Sequence, residues 1–150
     1  MLSDQDYFVK KSGASALGKI GNSSPEVIKA LVQALSDKTH YVRSSAAEAL
    51  GKIGSNSPEV IKGLLTALND QEHDVRSSAA QALGKIGSNS PEVVKALTHM
   101  LNYWEGGARS SAAKALIKIG ISSPEAIKVL IKPLSHQNSD VRWRAVGELI

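Results

Sequence analysis

The chain contains no cysteine. That one absence removes disulfide frameworks, cysteine-based zinc sites and thiol catalysis together. Aromatic residues are scarce, at 4% against an apolar share of 42%, so the interior has to be aliphatic and rich in alanine. No apolar run approaches the ~18 residues that cross a bilayer. The opening "MLSDQDYFVKKSG" lacks the basic start and apolar stretch of a secretory signal. These absences lead us to expect a soluble, cytoplasmic chain with no membrane partner. A net charge of +4 over 150 residues permits a polyanionic partner without arguing for one.

What the chain has in abundance is copies of itself. "VRSSAAEALGKIGSNSPEVIK", from Val42 to Lys62, returns as "VRSSAAQALGKIGSNSPEVVK" from Val75 to Lys95. Only Glu48 and Ile61 change, to Gln81 and Val94. Aligned on the Val-Arg step, the copies extend to "DQDYFVKKS" from Asp4, "DKTHYVRSS" from Asp37 and "DQEHDVRSS" from Asp70. "YWEGGARSS" from Tyr103 and "HQNSDVRWR" from His136 complete the series, always 33 residues apart. Such a period is the signature of a solenoid. An active site needs a few unlike residues in one place, whereas a near-copy suits a part that fits against another copy of itself. The expected division is one repeat domain over 1–150, with units 4–36, 37–69, 70–102 and 103–135 and a half unit 136–150. Because the last unit stops in mid-hairpin, the chain is expected to be a segment of a longer array or to self-associate through an uncapped C-terminal end.

Each unit reads as a helical hairpin. In the second, Val42, Ala46, Ala49, Leu50 and Ile53 form one helical stripe. Lys52 complements the helix dipole and Gly54 suits a left-handed stop. In "SNSPE", Ser57 is the expected N-cap, Pro58 the first helical residue and Glu59 a favourable charge at the positive helix end. Val60, Ile61, Leu64, Leu65 and Leu68 then form a second stripe. The expected fold is an all-α, right-handed α-solenoid with two helices of roughly 12 to 14 residues per unit. Stacked hairpins bury stripes that one hairpin cannot, and the alanines 46, 47 and 49 with their repeats mark where backbones come close.

The pattern D-x-x-x-x-V-R-x-x-A-A-x-A-L-G-K-I-G followed by a second helix resembles the short HEAT-like repeats first recognised in phycobilisome lyases. The resemblance runs from Asp4 to Ile150. It implies a solenoid whose variable face binds partners. It also implies several possible activities, since chromophore lyases, hydroxylases, sensor domains and plain scaffolds share these repeats. The hydroxylases carry repeated His-Glu dipeptides; here there are none, and Glu72-His73 runs in the reverse order.

The variable slots of the first helices are the candidate binding positions. They hold Tyr7, Phe8, Lys11, Ser12 and Ser15 in the first unit, and His40, Tyr41, Ser44, Ser45 and Glu48 in the second. The third has His73, Asp74, Ser77, Ser78 and Gln81, and the fourth Gly106, Gly107, Ser110, Ser111 and Lys114. The last has Ser139, Asp140, Trp143, Arg144 and Gly147. Aromatics gather there, with Tyr103 and Trp104 in a hairpin loop beside them and none on the second helices. Tyr and Trp are enriched at binding hot spots; the competing account is that Phe8 and Trp143 plug the ends of the stack. Gly106 and Gly107 weaken a helix start, which reads either as a loop presenting Trp104 to a partner or as drift in a tolerant loop.

Two rows of cations invite a nucleic-acid reading. Lys10, Arg43, Arg76, Arg109 and Arg142 recur at one register, but Asp37, Asp70, Glu72, Asp74 and Asp140 lie in the same turns, so an acid–base ladder between repeats is expected. Lys29, Lys62, Lys95 and Lys128 read as a solvated face. Nucleic acid is therefore disfavoured as a partner. His40 and His73 share a register, about 10 Å apart, too far for a common metal. No base, phosphate loop or paired-carboxylate motif accompanies the serines, so no catalytic residue, metal or cofactor is assigned and no enzymatic role is expected. The expected function is a scaffold that binds a protein or peptide through Tyr7, Phe8, Lys11, His40, Tyr41, Ser44, Glu48, His73, Asp74, Gln81, Trp104, Lys114, Trp143 and Arg144. The resemblance keeps a second class open, a lyase-like subunit holding a bilin with Tyr41, His73 or Asp74. DNA binding is third.

Overall fold

The computed structural model describes residues 2–103, 106–120 and 124–131. Among them the secondary structure is α-helical, without strands. First helices are α1 (Leu2–Ile20), α3 (His40–Ile53), α5 (His73–Ile86) and α7 (Gly107–Gly120). Second helices are α2 (Pro25–Ala34), α4 (Pro58–Ala67), α6 (Pro91–Tyr103) and α8 (Pro124–Ile131). The four second helices begin on a proline at every period, where the missing N–H costs nothing.

The helix stops follow local chemistry. Gly21, Gly54 and Gly87 adopt φ of 70°, 75° and 73°, the left-handed conformation expected after a helix. The caps are less uniform than the sequence suggests. Ser24 and Ser90 accept weak bonds from Val27 N–H and Val93 N–H, both at 3.4 Å. Ser57 occupies the N-cap position but makes no capping bond, and its hydroxyl is buried without a partner. Helix lengths also depart from expectation. α3, α5 and α7 have 14 residues, but α2 and α4 have only 10.

The aspartate of the repeat explains part of that. Asp37 Oδ1 accepts a bond from Thr39 N–H, and Asp70 Oδ1 from Glu72 N–H, each at 2.9 Å. These side-chain turns compete with a continuing helix. At the equivalent position the third unit runs into Tyr103, which offers no carboxylate, and α6 extends through it. Tyr103 thus ends a second helix instead of lying in the loop expected for it.

The first helices form one tightly packed layer, whereas the second helices touch each other sparsely. A stack whose layers are spaced unequally bends toward the closer one, here the first layer. Its spacing has an atomic cause. A Cβ added to Gly18 would sit 2.8 Å from Ala49 Cα, and the same holds for Gly51 against Ala82 and Gly84 against Ala115. Glycine on one helix and alanine on the next permit an approach at the low end of the usual ~8–10 Å. Ile117 stands at the register of these glycines in the fourth unit.

The core lies between the layers. Val42, Leu50, Leu64, Leu83, Leu97, Met100 and Leu116 are at most 1% exposed. Each side chain of this size contributes roughly 1.5–3 kcal/mol by leaving water. At the other extreme, Val9 and Ile20 of α1 are 68% and 72% exposed.

Candidate functional site: the outward ridge of the first layer

Turns of 100° per residue put Tyr41, Glu48 and Lys52 on one ridge of α3, facing away from its buried stripe. All three are exposed. Asp74, Gln81 and Lys85 repeat that ridge on α5, and Gly107, Lys114 and Lys118 on α7; all are exposed. On α1 the ridge carries Phe8, Ser15 and Lys19. Phe8 is 63% exposed.

An aromatic and cationic cluster forms where α1 meets α3. The Tyr7 and Tyr41 rings stack with centroids 6.0 Å apart and planes inclined by 28°. Lys11 Nζ lies 5.6 Å from the Tyr41 centroid, within cation–π range. His40 packs beneath, 4.0 Å from Tyr41 between ring centres. Its Nδ1 is buried with no hydrogen-bond partner. His40 is thus mainly support for a ring that remains 47% exposed.

From the second unit to the fourth, the slots after the Val-Arg step are not open surface. Ser44 and Ser78 share a hydrogen bond of 2.8 Å, and Ser77 and Ser111 one of 2.7 Å. Ser45, Ser78 and Ser111 are buried. Ser44 therefore spends its hydroxyl holding adjacent repeats together. Gln81 remains exposed while its amide donates to Ser111 Oγ at 3.3 Å.

His73 and Asp74 lie side by side and exposed, Nδ1 to Oδ1 3.0 Å. Trp104, Trp143 and Arg144 lie outside the described residues, as does the C-terminal end considered for self-association. Between α5 and α7 a groove of about 470 Å³ opens, lined by Gln81, Lys85, Ser111, Lys114, Ile117 and Lys118 among others.

In the cation row, Lys10, Arg43 and Arg76 serve as internal wiring. Arg43 Nε and Nη2 grip both oxygens of Asp70 at 2.8 and 3.0 Å, while Nη1 donates to the Asp37 carbonyl at 2.8 Å. Lys10 makes the same connection to Asp37 at 3.2 Å. Arg76 Nη1 donates to the carbonyls of Asp70 and Gln71 at 2.7 and 2.9 Å. Burial opposes ionisation of Asp70, but Arg43, the Glu72 N–H and the charge of Arg76 outweigh it, holding the carboxyl below its ordinary value. Asp37 behaves likewise: burial is outweighed by the Thr39 N–H and by Lys10.

Sequence reasoning missed a different row. Lys19, Lys52, Lys85 and Lys118 recur at one register in the last turns of the first helices, and all are exposed. No ion pair among the described residues involves them. The period that revealed the arginine row carries this one equally plainly, but a lysine near a helix end reads first as a dipole partner.

No cluster of metal-ligating residues occurs among the described residues, and no described helix is long and apolar enough to cross a membrane. Stacked helical hairpins with a close-packed first layer define an α-solenoid repeat protein. The family is identified by its model: HEAT repeats match residues 1–74 and 42–117, and the chain belongs to that family. No curated protein matches the sequence. Among solved structures, an engineered protein is similar at 28% identity and a TM-score of 0.62, over 99% of this chain and 75% of that one. The CpcE–CpcF complex of phycocyanin lyase from Nostoc sp. PCC7120 is similar at 23% identity, TM-score 0.52, over 93% and 69%. A designed armadillo repeat protein in complex with the peptide (KR)4 is similar at 21%, TM-score 0.58, over 93% and 73%. The last two likenesses concern the fold alone.

Proposed function

We propose that the chain is an interaction module whose first-layer ridge holds a protein or peptide ligand. The observation that carries this is the Tyr7–Tyr41–Lys11 cluster. Its rings are ordered by stacking and by His40 beneath, yet Tyr41 keeps nearly half its surface in water. Rigid, exposed aromatics with a polar tip bind at low entropic cost. Phe8, Glu48, His73, Asp74, Gln81 and Lys114 extend the surface along the stack. The complex of a designed armadillo repeat protein with the peptide (KR)4 supports the use of such a fold to hold a peptide.

The test is a random-peptide phage selection on the whole chain, followed by affinity measurement on Tyr41→Ala and on Lys62→Gln of the second layer. The proposal expects selected peptides to lose affinity on Tyr41→Ala and to ignore Lys62→Gln. Binders that respond only to the second-layer change would overturn it.

A further inference from the structure

Resting on that reading, we infer that the ligand is an acidic, extended polypeptide segment whose carboxylates meet the lysine column Lys19, Lys52, Lys85 and Lys118, about one per repeat.

The first support is charge. The ridge carries these four lysines with Lys11, opposed by Glu48 and Asp74. The ladder cations Lys10 and Arg43 are held by Asp37 and Asp70 and are not offered outward. A surface whose acids are outnumbered, in a chain with net charge +4, selects an anion.

The second support is shape. The groove between α5 and α7 is flanked by Lys85, Lys114 and Lys118, with Ile117 supplying an apolar wall. Ile117 stands where earlier units have glycine, so that wall is peculiar to the fourth unit. A side chain with an apolar stem and an anionic tip fits such a lining.

The third support is spacing. The glycine–alanine approach sets the first layer at the low end of ~8–10 Å per repeat. A polyproline-type segment advances about 3.1 Å per residue, so every third side chain recurs at ~9 Å on one side. One carboxylate in three residues thus keeps step with the lysines. Nucleic acid fits less well, because Glu48 and Asp74 lie on the same ridge and the excess charge is small.

The experiment measures fluorescence anisotropy of labelled (Glu-Pro-Pro)4, (Gln-Pro-Pro)4 and (Lys-Pro-Pro)4, and of single- and double-stranded oligonucleotides, against the whole chain. Variants are Lys52→Gln with Lys85→Gln, and Lys62→Gln with Lys95→Gln as the second-layer control. All four lysines are exposed, and a thermal melt verifies that each variant folds. The inference expects the glutamate peptide to bind best, to weaken with salt, and to lose about fivefold on the first pair of changes and nothing on the second. Equal or better binding of the glutamine or lysine peptide overturns the carboxylate assignment. So does tighter binding of either oligonucleotide with loss on the same variant, which would make the column a phosphate tracker. No glutamate-peptide binding also overturns it. The ridge itself is judged separately, by the phage selection and Tyr41→Ala.

Discussion

Gly51 faces Ala82 so closely that a Cβ on the glycine would sit 2.8 Å from the alanine Cα and 2.9 Å from its Cβ. Neither neighbour can swing away, since both belong to helix backbones or to a methyl fixed on one. Gly51→Ala should therefore destabilise by about 1–3 kcal/mol despite alanine's better helix propensity. Gly13→Ala, inside α1 with nothing within 4 Å of its Cβ, should stabilise by up to ~1 kcal/mol. Urea unfolding of both variants checks the pair; equal effects would refute the close-approach account of the first layer.

The serines preceding the helix prolines separate cap from position. Ser24→Ala removes an acceptor for Val27 N–H and should cost roughly 0.5–1 kcal/mol. Ser57→Ala removes a buried hydroxyl that bonds nothing and should be neutral or slightly stabilising. Thermal melts of the two variants decide this.

The ladder predicts an acid limb. Asp37 and Asp70 titrate below their unfolded values, so their stabilisation is full above the ordinary carboxylate pKa and disappears as pH falls through the lower folded values. Stability should fall between about pH 5 and pH 2. Asp70→Asn should lower stability at neutral pH by about 1–3 kcal/mol, since Arg43 loses a bidentate partner, and should flatten that limb. A limb unchanged in slope would show that other carboxylates govern it.

Much of the fold was legible because it is written in periods. The valine–alanine–leucine stripe, the prolines and the left-handed glycines act locally, and one unit predicts the next. What escaped depends on pairs of units. Gly51 looks like an indifferent helix residue until Ala82 is set against it, and Ser44 looks like open surface until Ser78 takes its hydroxyl. The second helices came out shorter because Asp37 and Asp70 stop them, and α6 ran on because Tyr103 cannot. For the proposed site, the aromatic residues of the first two units stand out in the sequence, but the use of His40 as support and the exposed lysine column do not. Both follow from packing across repeats, which composition and spacing do not disclose.

Tyr41→Ala should change the melt little, by under ~1 kcal/mol, because its ring is half in water and its loss opens no core cavity. A loss of several kcal/mol would make it a core residue and dissolve the proposed surface.

The most direct measurement is an amide chemical-shift map of the whole chain with the tightest phage-selected peptide. The account predicts shifts concentrated at Tyr41, Glu48, Lys52, Gln81, Lys85 and Lys114, with Lys62 and Lys95 silent. Shifts confined to the second helices would contradict it.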